Sequence, residues 1–223
     1  MKVILFGGTG MVGTGVLIEC LEDPRVHDVL VVGRSSTGRP HPKVREARRT
    51  DFVGYDDLRA DFAACDACFF CLGVSSLGLN EAEYTHVTYD LTLAAAKALR
   101  AANDHLTFCY VSGVGTDSSE RGRSMWGRVK GRTENALLAL GFKAAFMFRP
   151  GYIQPVKGVR SKTGWVQALY TLAAPVYPTL KRLAPRQITT TATLGRAMIE
   201  VAARGYPRQV LEPPDINAAG AGT

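Results

Sequence analysis

The sequence predicts an α/β fold, a doubly wound parallel sheet with helices on both faces and a small C-terminal segment covering a pocket. Three observations predict it. Up to Pro150, short apolar runs rich in β-branched and aromatic residues alternate with longer stretches of Ala, Leu, Arg and Glu at helical spacing. The short runs are apolar throughout rather than at alternate positions, as strands are when both faces of their sheet are buried. A cluster of glycines follows the first run and opens the first helical stretch.

The first strand is residues 2–6, in which Val3-Ile4-Leu5-Phe6 runs straight into Gly7-Gly8. Residues 11–22 read as an amphipathic helix with Val12, Val16, Leu17, Cys20 and Leu21 on its apolar face. Strands follow at 28–32, more weakly at 43–48, then at 67–72, 106–111 and 144–148, each bounded by turn residues. Helical spacing covers 54–62, 81–102 and 124–140. Strands separated by helices pair in parallel through right-handed crossovers. Beyond Pro150 the character changes. Residues 151–190 carry Pro155, Pro175, Pro178 and Pro185 and no strand pattern, and read as an irregular or helical pocket segment within a single domain spanning 1–223. A helix at 192–203 and an edge strand at 208–212, stopped by Pro213-Pro214, complete the fold. The small residues from Asn217 to Thr223 read as a frayed end.

Composition narrows the class. Of 223 residues, 46% are hydrophobic and 21% charged, which excludes wholesale disorder, collagen and coiled coil. No apolar run approaches the roughly 20 residues that cross a bilayer. Val3–Phe6 is too short for a signal-peptide core, so the chain reads as cytoplasmic. The net charge of +7 is scattered. Its densest groups, 45–49 and 121–123, lack the interleaved aromatics of a nucleic-acid platform, so no nucleic-acid partner is expected. Residues 164–183 place Trp165, Leu169, Tyr170, Leu172 and Val176 ahead of Lys181 and Arg182. That stretch reads as a pocket cover, with peripheral membrane contact as the alternative.

Cys65, Cys68 and Cys71 have the spacing of a metal knuckle, but on a strand Cys68 and Cys71 face opposite ways. His27, His41, His86 and His105 stand at no metal-ligand spacing. No metal is expected, and the five cysteines read as small apolar residues.

The glycine cluster carries the first chemistry. In Gly7-Gly8-Thr9-Gly10-Met11-Val12-Gly13, Gly8, Gly10 and Gly13 fit G-x-G-x-x-G, while Gly7, Gly10 and Gly13 fit G-x-x-G-x-x-G. Such glycines permit a tight turn, close approach of backbone to a pyrophosphate and close helix–strand packing. The anion then rests on the helix N-terminus. The second strand ends Val31-Val32-Gly33-Arg34-Ser35-Ser36 without the carboxylate that accepts from an NAD ribose. Arg34 and two hydroxyls suit a 2′-phosphate instead, which predicts NADP over NAD.

With these residues the chain resembles the atypical short-chain dehydrogenase/reductases, the nucleoside-diphosphate-sugar-epimerase-like group. It looks closest to small members similar to the human Tat-interacting-protein oxidoreductase. The resemblance runs from Met1 to about Gly151 and more faintly to the end. It rests on the glycine cluster, Val-Val-Gly-Arg34, Asp51-Phe52, Leu72-Gly73-Val74, Tyr110-Val111-Ser112, Val129-Lys130-Gly131 and Arg149-Pro150-Gly151. It implies a Rossmann fold in which Asp51 and Phe52 meet the adenine and Gly73, flanked by Leu72 and Val74, lies over its ribose. Pro150, Gly151 and Tyr152 then approach the nicotinamide.

The family's catalytic set is a Ser and Tyr-x-x-x-Lys, in which an ammonium lowers the phenol's pKa for proton exchange. Ser112 and Lys130 fit, but the position four before Lys130 is Trp126, whose indole cannot titrate near neutral pH. Tyr152 is a candidate replacement, with Tyr84 and Tyr89 farther off. Lys130 keeps a role in holding the nicotinamide ribose. Two functions follow: an NADP(H)-dependent oxidoreductase or epimerase-like enzyme on a small carbonyl or alcohol, or a non-catalytic NADP-binding redox sensor.

Overall fold

A computed structural model describes residues 1–159 and 187–221. Among them seven parallel strands form one sheet, in the order β3-β2-β1-β4-β5-β6-β9. These are β1 (Lys2–Phe6), β2 (Asp28–Gly33), β3 (Val44–Arg48), β4 (Ala67–Phe70), β5 (Thr107–Val111), β6 (Ala144–Phe148) and β9 (Val210–Leu211). Two further short strands, β7 (Tyr152–Gln154) and β8 (Ile188–Thr190), pair with each other in parallel. The order reverses between β1 and β4, the place where sheets of this kind open a crevice at their C-terminal edge.

Alternation along the strands splits the core in two. Val3 and Leu5 pack with Leu17 of α1 (Met11–Glu22) and with Leu194 and Met198 of α6 (Thr191–Arg204). Ile4 and Phe6 face the other way, toward Phe62 of α2 (Arg59–Ala63), Leu99 of α4 (Leu91–Ala102) and Leu137 of α5 (Met125–Ala139). Aromatic rings stack along this second layer, with Phe6 on Phe70 at 5.0 Å and Phe108 on Phe142 at 5.0 Å. Cys68 joins this layer while Cys71 packs on the first, so the two thiols lie on opposite faces. All five cysteines are free.

Four boundaries differ from the sequence reading. The helix expected at 54–62 begins as a 3₁₀ turn, Asp56–Leu58, before α2. The helix expected at 81–102 is broken into α3 (Glu81–Thr85), a π-type turn at His86–Asp90, and α4. Residues 151–190 do contain strands, β7 and β8, because three-residue strands leave no periodicity to read. The end is not frayed. Pro213–Ala221 forms a helix, α7, with Ile216, Ala219 and Gly220 buried, its prolines occupying the first turn where a missing N–H is harmless. The amphipathic reading of 164–183 lies outside the described residues. Among those described, no helix is long and apolar enough to cross a membrane.

Candidate functional site

The loops after β1 and β4 meet across the reversal point. Gly7 has φ +78°, and a Cβ there would stand 2.6 Å from Leu72 N, so only glycine lets the two loops touch. Gly13 brings α1 against that turn, since a Cβ on it would fall 2.1 Å from Gly7 O. Gly10 differs. Its φ is −79°, open to any residue, and an added Cβ would meet nothing nearer than Gly7 O at 3.4 Å. The space above Gly10 is open, and Gly10 caps α1 with no side-chain hydrogen bond. Unfilled space beside an uncapped helix N-terminus fits a dinucleotide's pyrophosphate.

A groove of about 480 Å³ runs from this cradle past Gly7, Thr9, Gly10, Arg34, Ser35 and Phe52. Through the shared wall Cys71–Val74 it continues into a second lobe, also about 480 Å³. Val12, Val111, Ser112, Trp126, Lys130, Pro150, Gly151 and Ile153 line that lobe. Residues expected at the two ends of a dinucleotide therefore lie along one crevice. Met11 and Gly13 do not line it, and neither does Asp51. The Asp51 carboxylate accepts from Val53 N at 2.7 Å, closing its own turn beside Phe52.

Beyond Arg34 a basic cleft opens, lined by Arg34, Arg48, Arg49 and Thr50. Arg48 stands opposite Gly33 in the β2–β3 register. Arg49 is occupied by Asp57, by Gly54 O and by the Tyr55 ring at 4.6 Å. Neither Arg34 nor Arg48 makes an ion pair with a described residue. Of the two hydroxyls beside Arg34, Ser35 lines the groove, whereas Ser36 Oγ donates to Glu46 at 3.1 Å. Arg48 was missed in the sequence because its role depends on strand register.

At the other end the polar groups are few. Trp126, Lys130 and Glu134 recur every four residues and share one face of α5. Ser112 closes β5 with its hydroxyl turned inward, donating to Glu134 Oε1 at 2.5 Å with Phe148 O at 3.1 Å. Glu134 is 1% exposed, and the Arg149 guanidinium grips both its oxygens from the end of β6. Arg149 also reaches Ser118 and Glu212. Lys130 donates from Nζ to Ser112 O at 2.6 Å. Burial pushes its ammonium down to about 8, against an opposing pull from Glu134.

This clamp corrects one expectation. Arg149 neutralises a carboxylate inside the fold, and Ser112 lines the crevice with its proton committed to Glu134 rather than free for a substrate. The spacing Lys130-x-x-x-Glu134 was the available signal for a buried acid needing a partner.

Tyr152 does not line the crevice although Gly151 and Ile153 do, because neighbours on a strand point to opposite faces. Its hydroxyl donates to Gln154 Oε1 at 3.1 Å. Tyr84 is buried in the core, and Tyr89 lies under Arg132 at 4.3 Å. None of these tyrosines is among the described residues that line the crevice. Cys71 lies in the crevice wall, but burial raises its thiol far above the range in which it ionises. Among the described residues no group of three His, Cys, Asp or Glu is placed to hold a metal.

The loop after β5 is fixed to α5 by backbone contact. A Cβ on Gly131 would overlap Asp117 O at 1.8 Å, and Asp117 N donates to Gly127 O at 3.0 Å. Gly115 lies against the Trp126 indole, where a Cβ would stand 2.9 Å from the ring.

Comparison with known proteins adds three findings. No protein-family model matches the chain. The chain is similar to two proteins named fmp52, mitochondrial. The one from Aspergillus clavatus is 31% identical over 159 residues and the one from Emericella nidulans 28% over 159. Each match covers 68% of this chain and 66% of the relative, so the chain spans just under two thirds of these relatives' length. Among solved structures, the Bordetella bronchiseptica enzyme WbmF in complex with NAD+ superposes with a TM-score of 0.69 at 17% identity, covering 100% of this chain and 79% of that one. This chain has a Rossmann fold. A Thermotoga maritima UDP-glucose 4-epimerase holding UDP-glucose shares it, with a TM-score of 0.66 at 13% identity over 90% of this chain and 73% of that one. Rossmann sheets take ligands at the C-terminal edge where strand order reverses, and both lobes open there. The cytoplasmic reading is corrected by the relatives' names, which point to the mitochondrion. The sequence reading erred by treating the lack of a recognised leader as evidence of compartment.

Proposed function

We propose that this chain is an NADP(H)-dependent oxidoreductase of the short-chain dehydrogenase/reductase kind, reductase or epimerase-like, acting on a small carbonyl or alcohol. One observation carries the reading: a single crevice joins an open pyrophosphate cradle at Gly10 to an ammonium at Lys130. A bound nicotinamide dinucleotide supplies or accepts the hydride. Gly7, Thr9 and Gly10 hold its phosphates, Phe52 and Gly73 flank its adenosine, and Pro150 and Gly151 meet its nicotinamide end. Arg34 and Arg48 hold the 2′-phosphate; neither makes an ion pair with a described residue, and the Arg48 charge acts at longer range on Glu46. WbmF is named in complex with NAD+, which supports the cofactor class and leaves the 2′-phosphate to these two arginines. The likeness to the small Tat-interacting-protein oxidoreductase type belongs to the same reading, as does the mitochondrial compartment of the fmp52 relatives.

Proton exchange falls to Lys130. Trp126 cannot titrate, the Ser112 proton is held by Glu134, and no tyrosine among the described residues lines the crevice. An ammonium with a pKa near 8 delivers its proton to a carbonyl oxygen close to neutral pH and recovers it from water. Trp126 and the committed Ser112 proton also favour a second reading, a dinucleotide-binding module without turnover.

Calorimetry decides the cofactor. NADPH is expected to bind at least tenfold tighter than NADH, about 1.4 kcal/mol. Arg34→Ala and Arg48→Ala should each narrow that gap while leaving NADH affinity unchanged. Equal affinity for the two in the native chain refutes the NADP reading. Stopped-flow NADPH oxidation with a carbonyl panel separates enzyme from module, and its rate should fall as pH rises through about 8.

A further inference from the structure

We infer that the substrate held at the Lys130 end is an apolar carbonyl compound, alkyl or aromatic, rather than a sugar nucleotide. The inference rests on the oxidoreductase reading and narrows it. The lobe is walled by Val12, Val111, Val114, Trp126, Pro150 and Ile153. Among the described residues its polar side-chain groups suited to a carbonyl are Lys130, Ser112 and the single indole N–H of Trp126. The Ser112 hydroxyl gives its proton to Glu134, and the Lys130 ammonium, with one of its three N–H groups on Ser112 O, keeps donors for a substrate oxygen.

A sugar nucleotide asks for something else. Its diphosphate needs guanidinium or ammonium partners and its hydroxyls need paired donors and acceptors, because burying them unpaired is costly. Among the described residues, the cations lining the crevice away from Lys130 are Arg34 and, in the cleft beyond it, Arg48, at the opposite end where the dinucleotide's own phosphate claims them.

The mouth repeats the pattern of the floor. Val74 on the loop after β4 and Val114 on the loop after β5 are 42% and 44% exposed, although both line the lobe. Leu77, on the same loop as Val74, is 70% exposed. Large apolar side chains left in water on both lips of a cleft mark a surface that an apolar ligand covers. An alkyl or aryl group leaving the carbonyl at Lys130 meets Val111, Trp126 and Ile153 inside and Val74 and Val114 at the exit.

The test reads binding. Straight-chain primary amides from butyramide to decanamide, which resemble the carbonyl but accept no hydride, are titrated calorimetrically into the full chain with and without saturating NADPH. UDP-glucose is the polar comparison. Affinity is expected to rise about fourfold per methylene until the chain clears the lips. Val114→Asp should weaken decanamide at least tenfold and butyramide far less, so that the rise in affinity with chain length flattens. A series flat in chain length, or UDP-glucose binding tighter than decanamide, overturns the inference even where NADPH binds normally. Loss of NADPH binding alone refutes the oxidoreductase reading, and the amide series without dinucleotide still decides the lobe's chemistry.

Discussion

Replacing Glu134 by Leu tests whether the buried clamp is what holds the crevice in shape. In the native chain the Glu134 carboxylate is 1% exposed and takes both Nε and Nη2 of Arg149, whose side chain is 12% exposed. Leucine fills much of the same volume, so the change removes charge and hydrogen bonds more than packing. It leaves a nearly buried guanidinium with only Ser118 and the half-exposed Glu212. Breaking one side of such a pair costs about 3–5 kcal/mol, because the remaining charge stays desolvated. For a chain of this length that corresponds to a loss of about 6–20 °C in Tm.

Urea denaturation followed by far-UV circular dichroism measures the cost at 25 °C, and a thermal scan gives the shift. Arg149→Met alone should lose a similar amount, and Glu134→Leu with Arg149→Met should recover a good part, since an apolar pair replaces two charges. In Glu134→Leu the freed Ser112 hydroxyl keeps only Phe148 O as acceptor, whereas in Arg149→Met it still donates to Glu134. A cost below about 1 kcal/mol in Glu134→Leu refutes the clamp, as does strict additivity of the two changes.

Three further outcomes are expected. Gly10→Ala should fold normally and lose most dinucleotide affinity, while Gly13→Ala should lose about 3 kcal/mol or more of stability from its overlap with Gly7 O, both read by denaturation and calorimetry. Lys130→Met should stabilise the protein at pH 7 by at most about 3 kcal/mol. The folded pKa near 8 lies below the ordinary value of 10.5, so the unfolded chain binds the extra proton, and the native cost is full below pH 8 and fades toward 10.5. A gap between native and variant that stays constant from pH 7 to 10 contradicts this. Trp126→Tyr should raise NADPH oxidation with a carbonyl substrate by at most about 10²-fold, since Lys130 already supplies a proton, a gain lost again in Trp126→Tyr/Lys130→Met; an unchanged rate would place the phenol out of reach of the reacting oxygen.

The sequence carried the sheet well because its strands are solid apolar runs, which burial on both faces requires, and the glycine cluster because each glycine answers a local steric demand. What it hid depends on long-range pairing. Arg48 gains its place beside Arg34 only through the register of β2 and β3. Glu134 and Arg149 stand fifteen residues apart in sequence and meet only because α5 and β6 pack together. Tyr152 looked like a hydroxyl facing the nicotinamide, yet one residue of strand alternation turns it away. The break of one long helix at His86–Asp90 has no counterpart in the apolar spacing on either side.

The parallel pairing of β7 with β8 has a consequence for how such a protein diversifies. Tyr152 pairs with Ile188 and Gln154 with Thr190, so the chain leaves one strand and re-enters the next within one strand spacing and two residues of rise. With both ends pinned, the free energy of closing whatever chain runs between them grows only with the logarithm of its length, about 0.6 kcal/mol for each doubling. Insertions, deletions or wholesale exchange between Gln154 and Ile188 should therefore leave the seven-stranded sheet intact. Gly151 and Ile153 stay on the crevice wall throughout, ahead of the exchanged chain. The short strand pair works as a socket: the chain that joins its two strands can be exchanged while the seven-stranded sheet is inherited unchanged.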